Sequence, residues 1–227
     1  MIYELRFSIR HDEDWTVLTE EFDIKMRTVS YFTRRAGGRI VDVEVFNIGC
    51  SHQLDHCESD LRGFINGVKR FRNVLRVSVL NYSRRFSTVL TIEDYDSSIR
   101  KIINDNMGFF VSTTSRDGVE EYVVIFPLGS KHMFSGLRRQ LSSIGTIKYF
   151  HFMERKEPIL TGPQLTNREL DAIKLAWQKG FFEYPKGTTL DEMAEILHIR
   201  KQTLNFYLRN ALRKSIEFLL KNNFYDY

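Results

Sequence analysis

The chain has 227 residues, of which 42% are hydrophobic, 27% charged and 13% aromatic, enough to bury a sizeable core in one or two domains. That composition excludes a disordered, collagen-like or low-complexity chain, and no run of about 18 apolar residues provides a transmembrane helix. The net charge of +4 permits a nucleic-acid partner without requiring one.

The opening, MIYELRF, lacks a charged n-region followed by an apolar h-region, so no signal peptide is expected. Two cysteines, Cys50 and Cys57, are too few for a disulfide scaffold and fit a reducing interior. A cytoplasmic protein without a membrane partner is expected. The charge distribution says more than its sum. Residues 200–214 carry Arg200, Lys201, Arg209, Arg213 and Lys214 with no acidic residue, whereas elsewhere acids and bases are read as alternating closely.

In chain order, residues 2–10 read as a strand, and Trp15, Leu18 and Phe22 line one face of a short helix. Strands at about 24–34 and 39–47 flank the turn Ala36-Gly37-Gly38. In the second of them Val41, Val43 and Val45 alternate with Asp42 and Glu44, the pattern of a half-buried strand. Leu61, Phe64, Ile65 and Val68 fall at i, i+3, i+4, i+7, which predicts a helix, and residues 74–81 close the unit as a strand. The second half repeats this order. A strand covers 86–93, Ile99, Ile102 and Ile103 mark a helix, and strands at 109–115 and 119–126 are joined through Arg116-Asp117-Gly118. Phe134, Leu137, Leu141 and Ile144 give the next helix, and 146–153 the last strand.

The halves share local sequence as well as order. TRRAGGRIVDVEVFNIG (33–49) resembles TSRDGVEEYVVIFPLG (114–129), and HDEDW (11–15) has its counterpart in EDYDS (93–97). The reading is an α+β chain: two ferredoxin-like βαββαβ units, ACT-like in arrangement, at 1–82 and 83–153, each with a four-stranded antiparallel sheet and two helices on one face. A linker at 154–165 follows, where two prolines, a glycine and four charges break the pattern, and an all-α domain occupies 166–227.

In that last region Thr166 with Glu169, and Thr189 with Glu192, form capping boxes at two helix starts. The first helix runs through Ile173, Ala176 and Trp177 to Gly180. The second carries Leu190, Met193, Ala194 and Leu197. After a turn of about three residues, a long helix buries Leu204, Leu208, Ala211, Leu212, Ile216 and Leu219. This is helix-turn-helix spacing. The open face of the last helix carries side chains suited to a major groove. Gln202, Asn205 and Arg209 are the candidates for base edges, Lys201 and Arg213 for phosphates, with Arg200, Thr203, Phe206 and Lys214 completing the DNA-facing set. The structural alternative is a helical cap with a solvated basic face.

Residues 160–220 resemble the helix-turn-helix domain of archaeal bacterio-opsin activator-like transcription regulators, through LTNREL, KGFFEYPKGTTLDEMA and LRNALRK. The resemblance implies an archaeal protein that binds double-stranded promoter DNA and activates transcription. His198 stands where that family commonly has a glycine, and Arg200 where a serine usually caps the recognition helix.

Upstream, CSHQLDHC (50–57) groups Cys50, His52, His56 and Cys57, whose thiolates and imidazoles suit zinc or another soft transition metal. The alternative is a helix-entry loop with buried cysteine and solvated histidine, needing no cofactor. Asp12, Glu13, Asp14, Asp94 and Asp96 read as helix N-terminal acids. No Walker loop, dinucleotide fingerprint, zincin or nucleophile-elbow motif occurs, so no enzyme is expected. An RNA-binding reading rests on the sheets, whose nearest aromatic run is NMGFFVST (106–113). The expected protein is a DNA-binding transcription regulator whose N-terminal module dimerises, senses a small molecule or metal, or contacts another protein.

Overall fold

The structure, a computed structural model, describes residues 2–50, 56–156 and 162–221. Contacts divide the chain into two compact units with the boundary between residues 157 and 158.

The N-terminal unit is α+β. Its strands are β1 (Ile2–Arg10), β2 (Ile24–Ala36), β3 (Arg39–Cys50), β4 (Val74–Tyr82), β5 (Phe86–Asp94), β6 (Phe109–Arg116), β7 (Val119–Phe126) and β8 (Thr146–Arg155). The helices are α1 (Leu18–Glu21), α2 (Cys57–Val68), α3 (Ile99–Asp105) and α4 (Lys131–Ser142). A single turn of 3-10 helix precedes α1 at Trp15–Val17 and another precedes α3 at Tyr95–Ser97, capped by the side chains of Asp14 and Asp94. Both caps come from the acidic pairs of HDEDW and EDYDS, but from the second acid of one (Asp14) and the first of the other (Asp94).

The eight strands form one antiparallel sheet in the order β4-β5-β3-β2-β6-β7-β1-β8. This corrects the expectation of two ferredoxin-like units that each close on their own strands. A self-contained unit would run β4-β1-β3-β2 and β8-β5-β7-β6. In the structure β5 fills the seat of β1 beside β3 and β4, and β1 fills the seat of β5 beside β7 and β8. The helices that follow do not travel with the strands. Trp15 and Leu18 pack in the first core with Phe46, Leu61 and Phe64, while Leu5, Phe7 and Ile9 of β1 lie in the second core with Val124, Phe126 and Phe134. Reciprocally, Val89 of β5 belongs to the first core, and Ile99 and Ile103 of α3 to the second. The exchanged strands bury different faces: β1 buries Leu5, Phe7 and Ile9, whereas β5 buries Val89 with Ser87, Thr91 and Glu93. The halves meet through β2 and β6, paired only at Met26↔Ser115 and Arg27↔Thr114.

In β3 the alternation is present, yet both faces are buried. Val41 and Val43 are 3% and 6% exposed, Asp42 and Glu44 1% each. The acids share the parity of Phe46 and Ile48 and so lie on the helix side of the sheet, where α3 supplies the compensating charge. Arg100 Nη2 sits 2.6 Å from Glu44, and Asp42 accepts from Ser98 and Thr33.

The C-terminal unit is helical among its described residues: α5 (Asn167–Gln178), α6 (Leu190–Ile196) and α7 (Lys201–Lys221). Its core joins Ala172 and Ala176 of α5, Met193 and Ala194 of α6, and Leu204 and Leu208 of α7. The alanines at the contacts let the helix axes approach closely. No helix of the described residues is long and apolar enough to cross a membrane.

Candidate nucleic-acid interface

The geometry of the interface starts from how each helix is begun and ended. Thr166 and Thr189 each accept the N3 amide while Glu169 and Glu192 reach back to the threonine amides. Both carboxyls are held below the usual carboxylate range. For Glu192 the main cause is the Thr189 backbone bond; for Glu169 it is the Lys214 ammonium.

Helix α5 ends as the Gly180 amide donates to Trp177 and the Phe181 amide to Ala176, with Gly180 left-handed at φ +68°. Helix α6 ends the same way: the His198 amide donates to Glu195, the Ile199 amide to Ala194, and His198 sits at φ +51°. Both are Schellman motifs, which favour glycine at the left-handed position because a Cβ crowds the backbone there. A glycine, which the resemblance implies where His198 stands, would suit this backbone geometry. Ile199 packs on the core in the turn, and α7 begins two residues later.

This turn presents one face of α7. Lys201, Gln202, Asn205, Phe206, Arg209 and Arg213 are exposed along it, and Thr203 is half-buried. Arg200, just before the helix, is exposed, and its carbonyl accepts the Leu204 amide. Gln202, Asn205 and Arg209 follow one another at spacings of three and four, on one side of the helix. Lys201 pairs with Asp191 at 2.7 Å and Arg213 approaches Glu217 at 3.4 Å; both pairs are exposed, so a phosphate can displace the carboxylate at little cost. Arg200 and Arg209 have no ion pair among the described residues.

Lys214 differs from the rest of the predicted set. Its ammonium bonds both oxygens of Glu169, at 2.7 and 3.0 Å, and ties α7 to the capping box of α5. The expectation that it faces the DNA backbone is corrected: charge segregation in the sequence marked it as basic, and only its tertiary partner shows that this charge is already committed.

In the N-terminal unit, Cys50 and Cys57 are joined by a disulfide. This corrects the expectation of two free thiols and their assignment as metal ligands, because sulfurs bonded to each other offer no thiolate. His52 lies outside the described residues, and His56 precedes α2 as its N-cap position. Among the described residues no cluster of three or more His, Cys, Asp or Glu side chains is arranged to hold a metal.

Sequence reasoning missed a buried polar cluster on the helix side of the sheet. Glu44, Glu93, Arg100, Glu120 and Tyr122 surround a cavity of about 30 Å³, room for roughly one water and none for an organic effector. Burial, together with the Asp14 and Glu44 carboxylates, pushes Glu93 up to about 8, against the pull of Arg100 and Thr91. Burial and Asp14 push Glu120 up to about 8, against its bonds from Tyr122 and Thr16. Burial also opposes the charge on Arg100, but Glu44, Tyr122, Glu93 and Asp42 outweigh it and raise the guanidinium pKa. Acids alternating with valine on β3 were the available signal, and the alternation was read as that of a half-buried strand.

The aromatic run expected of an RNA platform does not form one. Phe109 is exposed, but Phe110 turns inward, with ring centroids 5.1 Å from Tyr31 and 5.7 Å from Tyr122.

Comparison with known proteins agrees with the geometry of the C-terminal unit. Residues 165–217 match the family described as "HTH DNA binding domain". A Haloferax volcanii protein named "Putative transcriptional regulator" is 41% identical over 54 residues, 24% of this chain and 9% of that protein. The chain thus spans less than a tenth of the length of this relative. No solved structure matches the chain. The C-terminal region matches a helix-turn-helix DNA-binding domain and is similar to a part of that Haloferax volcanii protein.

Proposed function

We propose that this chain is a sequence-specific, DNA-binding transcription regulator, not an enzyme, acting in the cytoplasm on double-stranded promoter DNA. The observation that carries the reading is the exposed Gln202, Asn205 and Arg209 on one side of α7, directly after the α6 turn. In a major groove, the amides of Gln202 and Asn205 suit adenine and Arg209 suits guanine. Arg200, Lys201 and Arg213 would hold phosphates, with Thr203 and Phe206 at the margins. The remaining exposed apolar residues of α7 are Leu212, Ile216 and Leu220, of which Leu212 and Ile216 were expected to be buried; their exposure supports a homodimer, which would present two recognition helices to half-sites about 34 Å apart. The N-terminal unit would serve dimerisation or sensing, and the 30 Å³ cavity gives no support to an organic effector bound among its buried acids.

Fluorescence anisotropy of the full chain on its own upstream duplex, a scrambled duplex and single-stranded RNA, across a salt series, tests this. Preference for the upstream duplex is expected, and Arg209→Ala should cost about 1–3 kcal/mol there while relaxing specificity. Equal affinity for both duplexes, or a preference for RNA, overturns it.

A further inference from the structure

The two halves of the N-terminal unit build the same hairpin to different ends. In the second half, β6 and β7 turn through Asp117 and Gly118, at φ +52° and +69°. That tip is docked. The Gly118 amide donates to Thr19 in a buried bond, a Cβ at Gly118 would lie 2.7 Å from Arg10, and Arg116 pairs with Asp117.

In the first half, β2 and β3 turn through Gly37 and Gly38, at φ +58° and +80°, and a Cβ at either would meet nothing within 4 Å. Pairing of β3 with β5 ends at Val41↔Asp94, while β2 and β3 stay paired to Ala36↔Arg39, so a two-stranded ribbon continues roughly 7 Å past the sheet. Arg34, Arg35 and Arg39 lie on this ribbon, all exposed, with no ion pair or hydrogen bond among the described residues. Cross-strand register puts Arg34 and Arg39 on one face, beside exposed Phe32, and Arg35 on the other.

Charge follows the same divergence. Residues 24–41 contain Lys25, Arg27, Arg34, Arg35 and Arg39 and no acid, an exception to the close alternation read outside 200–214. Aligned through the turns, the matching stretch 104–121 has one arginine and four acids. Three uncompensated planar guanidiniums on a protruding ribbon suit bidentate bonds to phosphate oxygens, and a two-stranded ribbon has the width of a major groove.

We propose that the β2–β3 ribbon is a second DNA contact, gripping the phosphate backbone of duplex DNA through Arg34, Arg35 and Arg39 independently of sequence. This goes beyond the recognition-helix reading, and the two are separable. Full-length wild type, Arg34→Ala/Arg35→Ala/Arg39→Ala, the corresponding triple lysine variant, and Gln202→Ala/Asn205→Ala/Arg209→Ala would be titrated on upstream and scrambled duplexes, single-stranded RNA and phosphatidylserine vesicles. The triple alanine variant should lose at least about tenfold affinity for both duplexes alike, and its slope of log K against log salt should shrink by about 2–3, since each lost phosphate contact removes about 0.9. The lysine variant should keep most of the slope, and the α7 variant should lose discrimination while keeping the ribbon's share. Unchanged affinity and slope in the triple alanine variant, with wild-type circular dichroism, overturns the proposal and leaves the α7 reading standing. A larger loss on vesicles or RNA than on duplex overturns the assignment to DNA.

Discussion

His198 is the residue where local backbone physics and side-chain identity disagree most plainly. It occupies the same left-handed position as Gly180, at the end of a helix closed by the same pair of hydrogen bonds, yet carries a Cβ. Replacing it with glycine removes a strain of roughly 1–2 kcal/mol, part of which is returned as extra freedom of the unfolded chain. His198→Gly should therefore raise the denaturation midpoint of the helical unit, by about 1 kcal/mol at most, read by following exposed Trp177. A midpoint that falls would show that the imidazole contributes more than its backbone costs. Gly180 and His198 also mark what a sequence can show: the capping boxes at Thr166 and Thr189, the small contact residues and the turn were all legible because they act over three or four positions. Lys214 was not, since its partner Glu169 lies 45 residues away.

Among the elements, β3 shows most clearly how a correct pattern conceals its meaning. Alternation identified the strand, but could not say that Asp42 and Glu44 face inward, because Arg100 and Ser98 arrive from α3. The cluster they join has a pH consequence. Glu93 and Glu120 have folded values near 8, far above the ordinary carboxyl value of about 4.3. The folded state holds protons that the unfolded chain releases, so the stability they contribute is complete below about pH 4.5 and is lost as pH rises through about 8. With Trp177→Phe as background, so that buried Trp15 reports the N-terminal unit, thermal midpoints should fall between pH 6 and pH 9. Glu93→Gln/Glu120→Gln should flatten that fall, the neutral amides standing in for the protonated acids. A pH profile as steep as that of the parent would place the titrating groups elsewhere.

For the molecule as a whole, internal duplication was readable and strand exchange was not. The matching order of elements makes β1 and β5 counterparts, and order alone cannot say which seat each one takes. Loss of β1 is the direct probe. Deleting residues 2–10 should strip hydrogen-exchange protection from β7 and β8, the neighbours β1 pairs with, and spare β3 and β4. Loss confined to β3 and β4 would mean that each half closes on itself.

The same exchange sets the order in which the protein can be finished as it is made. Leu5, Phe7 and Ile9 are synthesised more than a hundred residues before the strands that cover them, since Tyr3 pairs with Phe126 and Arg155 with Ile2. At about 5–20 residues per second, that strand stays without its neighbours for on the order of ten seconds. Meanwhile β2, β3 and α2 emerge with the first core still lacking β5. Neither half can be completed before the other has begun, so the nascent chain carries an open sheet edge until β7 and β8 have been made, and β1, made before the other seven strands, is among the last of the eight to be seated.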